Sequence, residues 1–231
     1  MDVTGIPLRS KALTVCVIIV VAITGCRHSS PLLSPTPRDL AWVAPDSFLV
    51  TLLTSRGPVT IAAHRDWSPL GVDRFHYLVR HRYYDGARFF RVVPGFVDQW
   101  GLVGNPALSA VWHDRNLPDE LVRRSNTRGR LGYARGGPNT RSVQLYVNLG
   151  NNARLDTLNS FGFPPIGEVI EGMTLLDSLF AGYSCQRGSP GTCPSQDSIR
   201  VGGNAYLARV HPNLDYIKVA RITREWKRRK H

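Results

Sequence analysis

The sequence predicts a mainly β domain closed on itself, with two helices covering its openings, and three observations predict it. From residue 46 onward, short segments of alternating apolar and polar residues follow one another between Gly, Pro, Ser and Asp turn residues. Only two stretches show helical spacing. No internal repeat or second boundary interrupts the run, so a single core is expected. Composition agrees with a folded chain: 42% of residues are hydrophobic and 20% charged, which excludes disorder as the main state. The 21 glycines and 16 prolines in 231 residues fall short of a low-complexity sequence.

Strands are expected over 48–54 and 58–64, flanking Ser55-Arg56-Gly57, a hairpin signal. Ser68-Pro69 then opens a helix, with Ser68 as N-cap and Pro69 at the first helical position. Val72, Phe75, Leu78 and Val79 give that helix one apolar face. Further strands are expected at 89–93, 95–102, 130–134, 143–149 and 163–170. A helix of about ten residues follows from Glu171, with Met173, Leu176 and Phe180 on its apolar face. The alternating segment 215–223 closes the sheet, and the basic residues Lys227 to Lys230 form a solvated tail.

Residues ahead of 46 read differently. Arg9 and Lys11 precede an uncharged run over 12–24. Thirteen helical residues reach about 20 Å, short of the ~30 Å hydrocarbon core, so a secretory signal fits better than a spanning anchor. The run ends in Ile23-Thr24-Gly25-Cys26, which resembles a bacterial lipoprotein signal. That resemblance implies removal of residues 1–25, acylation of Cys26, and attachment to a membrane of the bacterial cell envelope, facing the periplasm or the exterior. Residues 27–38 hold three prolines and three serines without periodicity, so 26–45 reads as a flexible tether to a domain over 46–224, with a basic tail at 225–231.

With Cys16 in the signal and Cys26 acylated, Cys185 and Cys193 remain as a pair around a Gly/Ser/Pro-rich loop. In an oxidising compartment a disulfide is the expected state, contributing about 2–3 kcal/mol at most for so short a loop. Two free thiols are the alternative; a zinc pair would need a C-x-x-C or a histidine at ligand spacing, and the sequence has neither.

Several chemistries are excluded by the absence of their motifs. The chain has no P-loop, no G-x-S-x-G and no H-E-x-x-H, and its seven histidines are scattered. No metal site is expected. The net charge of +12 points to an anionic environment, but the bases are not clustered with aromatic platforms, so a nucleic-acid partner is not expected. Two polar residues stand out in apolar strands. Arg91 lies within Phe89-Phe90-Arg91-Val92-Val93 and must reach solvent or line a cleft, because a buried unpaired guanidinium is costly. Gln144, in Val143-Gln144-Leu145-Tyr146-Val147, needs partners for its amide if buried.

FFRVVPGFVDQWG at 89–101 resembles the F-H-R-x-x-P-G-F-x-x-Q-G-G stretch of the cyclophilins, the peptidyl-prolyl cis-trans isomerase family. GGPNT at 136–140 with Gln144 resembles the family's G-P-N-T…Q stretch. Leu155-Asp156, Ile166-Gly167-Glu168-Val169 and Glu171-Gly172-Met173 follow in the family's order, so the likeness covers about 48–183. The resemblance implies an eight-stranded antiparallel closed barrel capped by two helices, and rotation of X-Pro bonds in proline-containing polypeptides, without a cofactor. A monomer is expected.

By the same resemblance, Arg91 is the catalytic arginine and Gln99 orients it and the substrate. Phe96, Val97, Tyr146, Leu155 and Phe163 line a proline pocket, while Ala134, Arg135 and Gln144 bind the peptide backbone and shape the adjoining wall. The chain departs from the family's pattern at five places. Phe90 replaces a His, Trp100 a Gly, Val97 a Met, Phe163 the pocket His, and Arg154 an aromatic. Residues 202–216 lie outside the shared motifs and are expected only to wrap the barrel. A proline-binding module with little catalysis is the alternative function; it could dispense with Arg91 and Gln99, and this chain keeps both.

Overall fold

The computed structural model describes residues 1–2, 30–183, 185 and 192–226. Cys26, the signal segment over 3–25 and residues 227–231 of the tail lie outside the described residues. Eight strands form one sheet: β1 (Ser47–Thr54), β2 (Pro58–His64), β3 (Arg91–Val93), β4 (Val97–Trp100), β5 (Arg130–Tyr133), β6 (Leu145–Asn148), β7 (Pro165–Glu171) and β8 (Ile217–Trp226). Their order is β3-β4-β6-β5-β7-β2-β1-β8, and every pairing is antiparallel. Alternation sets the core: Phe48, Val50 and Leu52 of β1 and Val59, Ile61 and Ala63 of β2 are all buried.

The expected closed barrel is instead an open half-barrel, because no ladder joins the edge strands β3 and β8. β3 has only three residues before Pro94 and Gly95 turn the chain. The seam is left to the segment ahead of it. Gly86 N–H donates to the Ile217 carbonyl at 2.7 Å, Ile217 N–H to Ala87 at 2.8 Å, and Phe89 N–H to Asp215 at 3.0 Å.

Among the described residues five α-helices, not the two expected, accompany the sheet: α1 (Pro37–Leu40), α2 (Pro69–Arg80), α3 (Pro106–Trp112), α4 (Met173–Asp177) and α5 (Gln196–Val210). α2 starts where expected, but the side chain of Ser68 does not cap it. Glu120 does so from a distant loop, accepting from Leu70 N–H at 2.8 Å and Gly71 N–H at 3.1 Å, while the Ser68 hydroxyl donates to the same carboxylate. α4 is half the expected length. Ser178 Oγ takes the Leu175 carbonyl at 2.8 Å and closes the last turn.

Two segments differ more deeply from expectation. Residues 30–45, expected to be flexible, are fixed to the barrel: Leu32 is buried, its carbonyl accepts from Trp112 Nε1 at 2.8 Å, and Trp42 Nε1 donates to His76 Nδ1 at 2.9 Å. The segment expected only to wrap the barrel is largely the helix α5. It bends at Gly203 (φ 53°), where Asn204 N–H reaches the Gly104 carbonyl at 3.1 Å. Ile199, Leu207 and the following Leu214 form a second apolar cluster over Phe90 and Leu102.

Gly101 ends β4 at φ +110°, and a Cβ there would lie 2.3 Å from the Val143 carbonyl oxygen. Gly101→Ala is therefore expected to lower the unfolding free energy by about 2–4 kcal/mol, measured by urea titration, because strain and backbone overlap add.

Candidate active site

Antiparallel register builds the centre of the site. Arg91 of β3 sits opposite Gln99 of β4, which sits opposite Tyr146 of β6, so the three side chains share one face. Arg91 Nη1 donates to Gln99 Oε1 at 3.3 Å, and Gln99 Nε2 donates to Gln144 Oε1 at 2.8 Å. Arg91 lines the cleft, and no carboxylate pairs with it among the described residues. Burial alone pushes its guanidinium below the ordinary arginine value, so the charge is held part-dehydrated.

The Pro94-Gly95 turn brings Phe96 back to Arg91, whose Cζ lies 5.5 Å from the ring centroid. Phe96, Val97, Ala134, Tyr146, Leu155 and Phe163 form one apolar cluster. With Arg91, Gln99 and Arg135 they line a cavity of about 340 Å³. Gln144 lies just beyond, in an adjoining cavity of about 360 Å³. All ten residues expected in the site thus converge on one groove.

The walls are fixed by a buried amide network that sequence reasoning missed. Asn126 Oδ1 accepts from Tyr146 OH at 2.7 Å, and its Nδ2 donates to Asp156 at 2.8 Å and to the Phe163 carbonyl at 2.9 Å. Asn152 Nδ2 donates to the Phe96 carbonyl and to Asn148 Oδ1, both at 2.8 Å. Each asparagine ties one pocket residue to another strand or turn, so the rings keep their positions without substrate.

The structure gives a setting for four of the five residues that depart from the family pattern. Phe90 is apolar because α5 buries it beneath Ile199 and Leu207. Trp100 is buried against Phe89, ring centroids 5.4 Å apart. Phe163 meets Tyr146 edge-on at 6.2 Å, and the Arg135 guanidinium stacks over it at 4.9 Å. Arg154 lies 4.8 Å over Phe96.

α5 also brings in a residue that no motif announced. Gln196 lines the groove, and its Oε1 accepts from Gln144 Nε2 at 3.0 Å, extending the amide chain that runs from Arg91 through Gln99. Cys185 and Cys193 are joined by a disulfide just ahead of this helix. The available signal was Ser195 followed by Asp197, a helix start; Ser195 Oγ accepts from Ser198 N–H at 3.3 Å. Gln196→Ala is expected to lower kcat/KM about two- to fivefold, the scale of one neutral hydrogen bond, with an unchanged melting temperature.

Comparisons with known proteins agree with this geometry. Residues 49–197 match the family model described as cyclophilin-type peptidyl-prolyl cis-trans isomerase/CLD. The peptidyl-prolyl cis-trans isomerase A of Dickeya dadantii is 31% identical over 152 residues, covering 64% of this chain and 79% of that protein. The peptidyl-prolyl cis-trans isomerase-like 3 of Rattus norvegicus is 31% identical over 134 residues, 56% of this chain and 80% of the relative. A crystal structure of a Cryptosporidium parvum cyclophilin-type isomerase superposes with a TM-score of 0.56 at 19% identity, covering 76% of this chain and 97% of that one, a likeness of fold. Register, cleft and sequence matches converge, and the chain belongs to the cyclophilin-type peptidyl-prolyl cis-trans isomerase family.

Proposed function

We propose that the groove accelerates rotation about X-Pro bonds in exported polypeptides, with Arg91 as the catalytic residue and Gln99 holding it in place. Conjugation gives the bond a barrier of about 18–20 kcal/mol. Twisting the amide ends that conjugation and localises a lone pair on the proline nitrogen, which then accepts a hydrogen bond. A guanidinium aimed there stabilises the twisted state more than the planar one, and this difference is the catalysis. Phe96, Tyr146 and Leu155 hold the ring away from water, where the charged hydrogen bond is strongest. No proton is transferred and no covalent bond is made.

The observation that carries the reading is a half-buried Arg91, paired with no carboxylate among the described residues and tethered by Gln99 beside an apolar pocket. The test is exchange NMR on an X-Pro peptide with the full chain in a nonionic detergent. Faster cis-trans exchange is expected; peptide resonances that shift without faster exchange would instead make it a proline-binding module.

The envelope role rests on Cys26. Residues 27–30 can span no more than about 14 Å, so an acylated Cys26 would hold the barrel close to the bilayer. Cys26→Ser is expected to release the protein from the membrane fraction and to remove the lipid mass. Unchanged membrane attachment would overturn the anchor.

A further inference from the structure

Around the proline pocket the groove is lined by three arginines and no carboxylate, while its outer cavity, beyond Gln144, adds Asp114 and Arg200. The two cavities that share the Phe96 ring, about 340 and 470 Å³, are lined by Arg91, Arg135 and Arg154 and by no acidic residue. Arg154 is exposed and makes no ion pair among the described residues; its guanidinium rests 4.8 Å over Phe96, the ring that Arg91 approaches from 5.5 Å. Two like charges thus stand against one ring with no counter-ion between them. Arg135 adds a different feature. Its side chain is 2% exposed, Nη1 donates to Asp119 at 2.9 Å, and Nη2 is buried with no hydrogen-bond partner among the described residues. Asp119 answers the charge of this guanidinium, and what Arg135 adds to the cavity wall is one donor still without an acceptor among the described residues.

We propose that this isomerase selects prolines flanked by acidic side chains, with Arg154 and Arg135 as specificity-determining residues. The proposal rests on the isomerase reading of the groove and deepens it. A carboxylate beside the proline neutralises a part-dehydrated positive site, whereas a lysine there is repelled by it. Arg91 gains from the same arrangement, because a substrate anion supplies the counter-charge that the protein withholds. The selectivity is electrostatic, so salt must weaken it.

The experiment uses the full chain in nonionic detergent and peptides identical except for Glu, Gln or Lys immediately before the proline. A second series places the variable residue two positions after it. At low ionic strength, kcat/KM for the Glu peptide is expected to exceed that for the Lys peptide about tenfold in at least one series, with Gln between them. About 0.5 M NaCl should close most of the gap. Arg154→Glu should reverse the order, and because the ratio is read within one variant, partial misfolding does not disturb it. Equal kcat/KM across the peptides, with catalysis present, overturns the charge selectivity alone. If no peptide is isomerised, the isomerase reading falls instead. The Kd values from the same titrations then decide the selectivity: tighter Glu binding supports it and equal Kd values overturn it.

Discussion

Arg91→Ala is expected to lower kcat/KM for an X-Pro peptide by about one to two decades while leaving the fold intact. The size follows from the lost interaction: one charged hydrogen bond is worth roughly 1.5–3 kcal/mol, and each 1.36 kcal/mol is a decade of rate. The intact fold follows from the environment. Arg91 is half-buried, and among the described residues it makes no ion pair and one side-chain hydrogen bond, to Gln99. The loss should fall on kcat more than on KM, because the apolar cluster around Phe96, Tyr146 and Leu155 still holds the proline ring. Arg91→Lys should recover little, since a point charge lacks the planar fork that can reach both Gln99 and the proline nitrogen. Undiminished exchange in Arg91→Ala, measured by NMR, would remove Arg91 from the mechanism.

The legible part of this molecule is the part governed by local periodicity. β1 and β2 could be read because a strand half-buried on one face must alternate, and α2 because Val72, Phe75 and Val79 must share a stripe. Arg91 was legible because a guanidinium amid Phe and Val is too costly to leave unexplained. What stayed hidden depends on partners distant in sequence. The carboxylate that takes the first N–H groups of α2 belongs to Glu120, some fifty residues away, and nothing local marks it. α5 carries two consecutive glycines and only a weak apolar stripe, so its helix is held by docking on Gly104 and Phe90 rather than by its own pattern. The open seam arises from the shortness of β3, a matter of where one turn falls. Asn126, Asn148 and Asn152 resemble ordinary turn residues until the folded chain brings them together.

Asp98 leads to the last prediction, which concerns stability and not rate. It follows Val97 on β4 and faces away from the groove, fully buried, with neither carboxylate oxygen hydrogen-bonded among the described residues. Burial, reinforced by the nearby Asp177, pushes its pKa up to about 8 from an ordinary 3.8. The folded protein therefore holds a proton on Asp98 that the unfolded chain releases near pH 4. Stability from this group is complete at pH 4 and below, and it declines as pH rises to about 8, the sign opposite to that of a salt-bridged aspartate. Asp98→Asn keeps the shape and removes the titration. It should leave stability unchanged near pH 4 and raise it by on the order of 5 kcal/mol at pH 8, read by urea unfolding. An unchanged pH slope in the variant would show that Asp98 is solvated or paired in the folded state. Catalysis offers an internal control. Gln99, the next residue, points to the opposite face, and the proposed isomerisation moves no proton, so kcat/KM of the folded enzyme should stay flat across the same pH range while stability falls. A rate that tracked the stability curve would mean that the buried acid is coupled to the groove through the strand the two residues share.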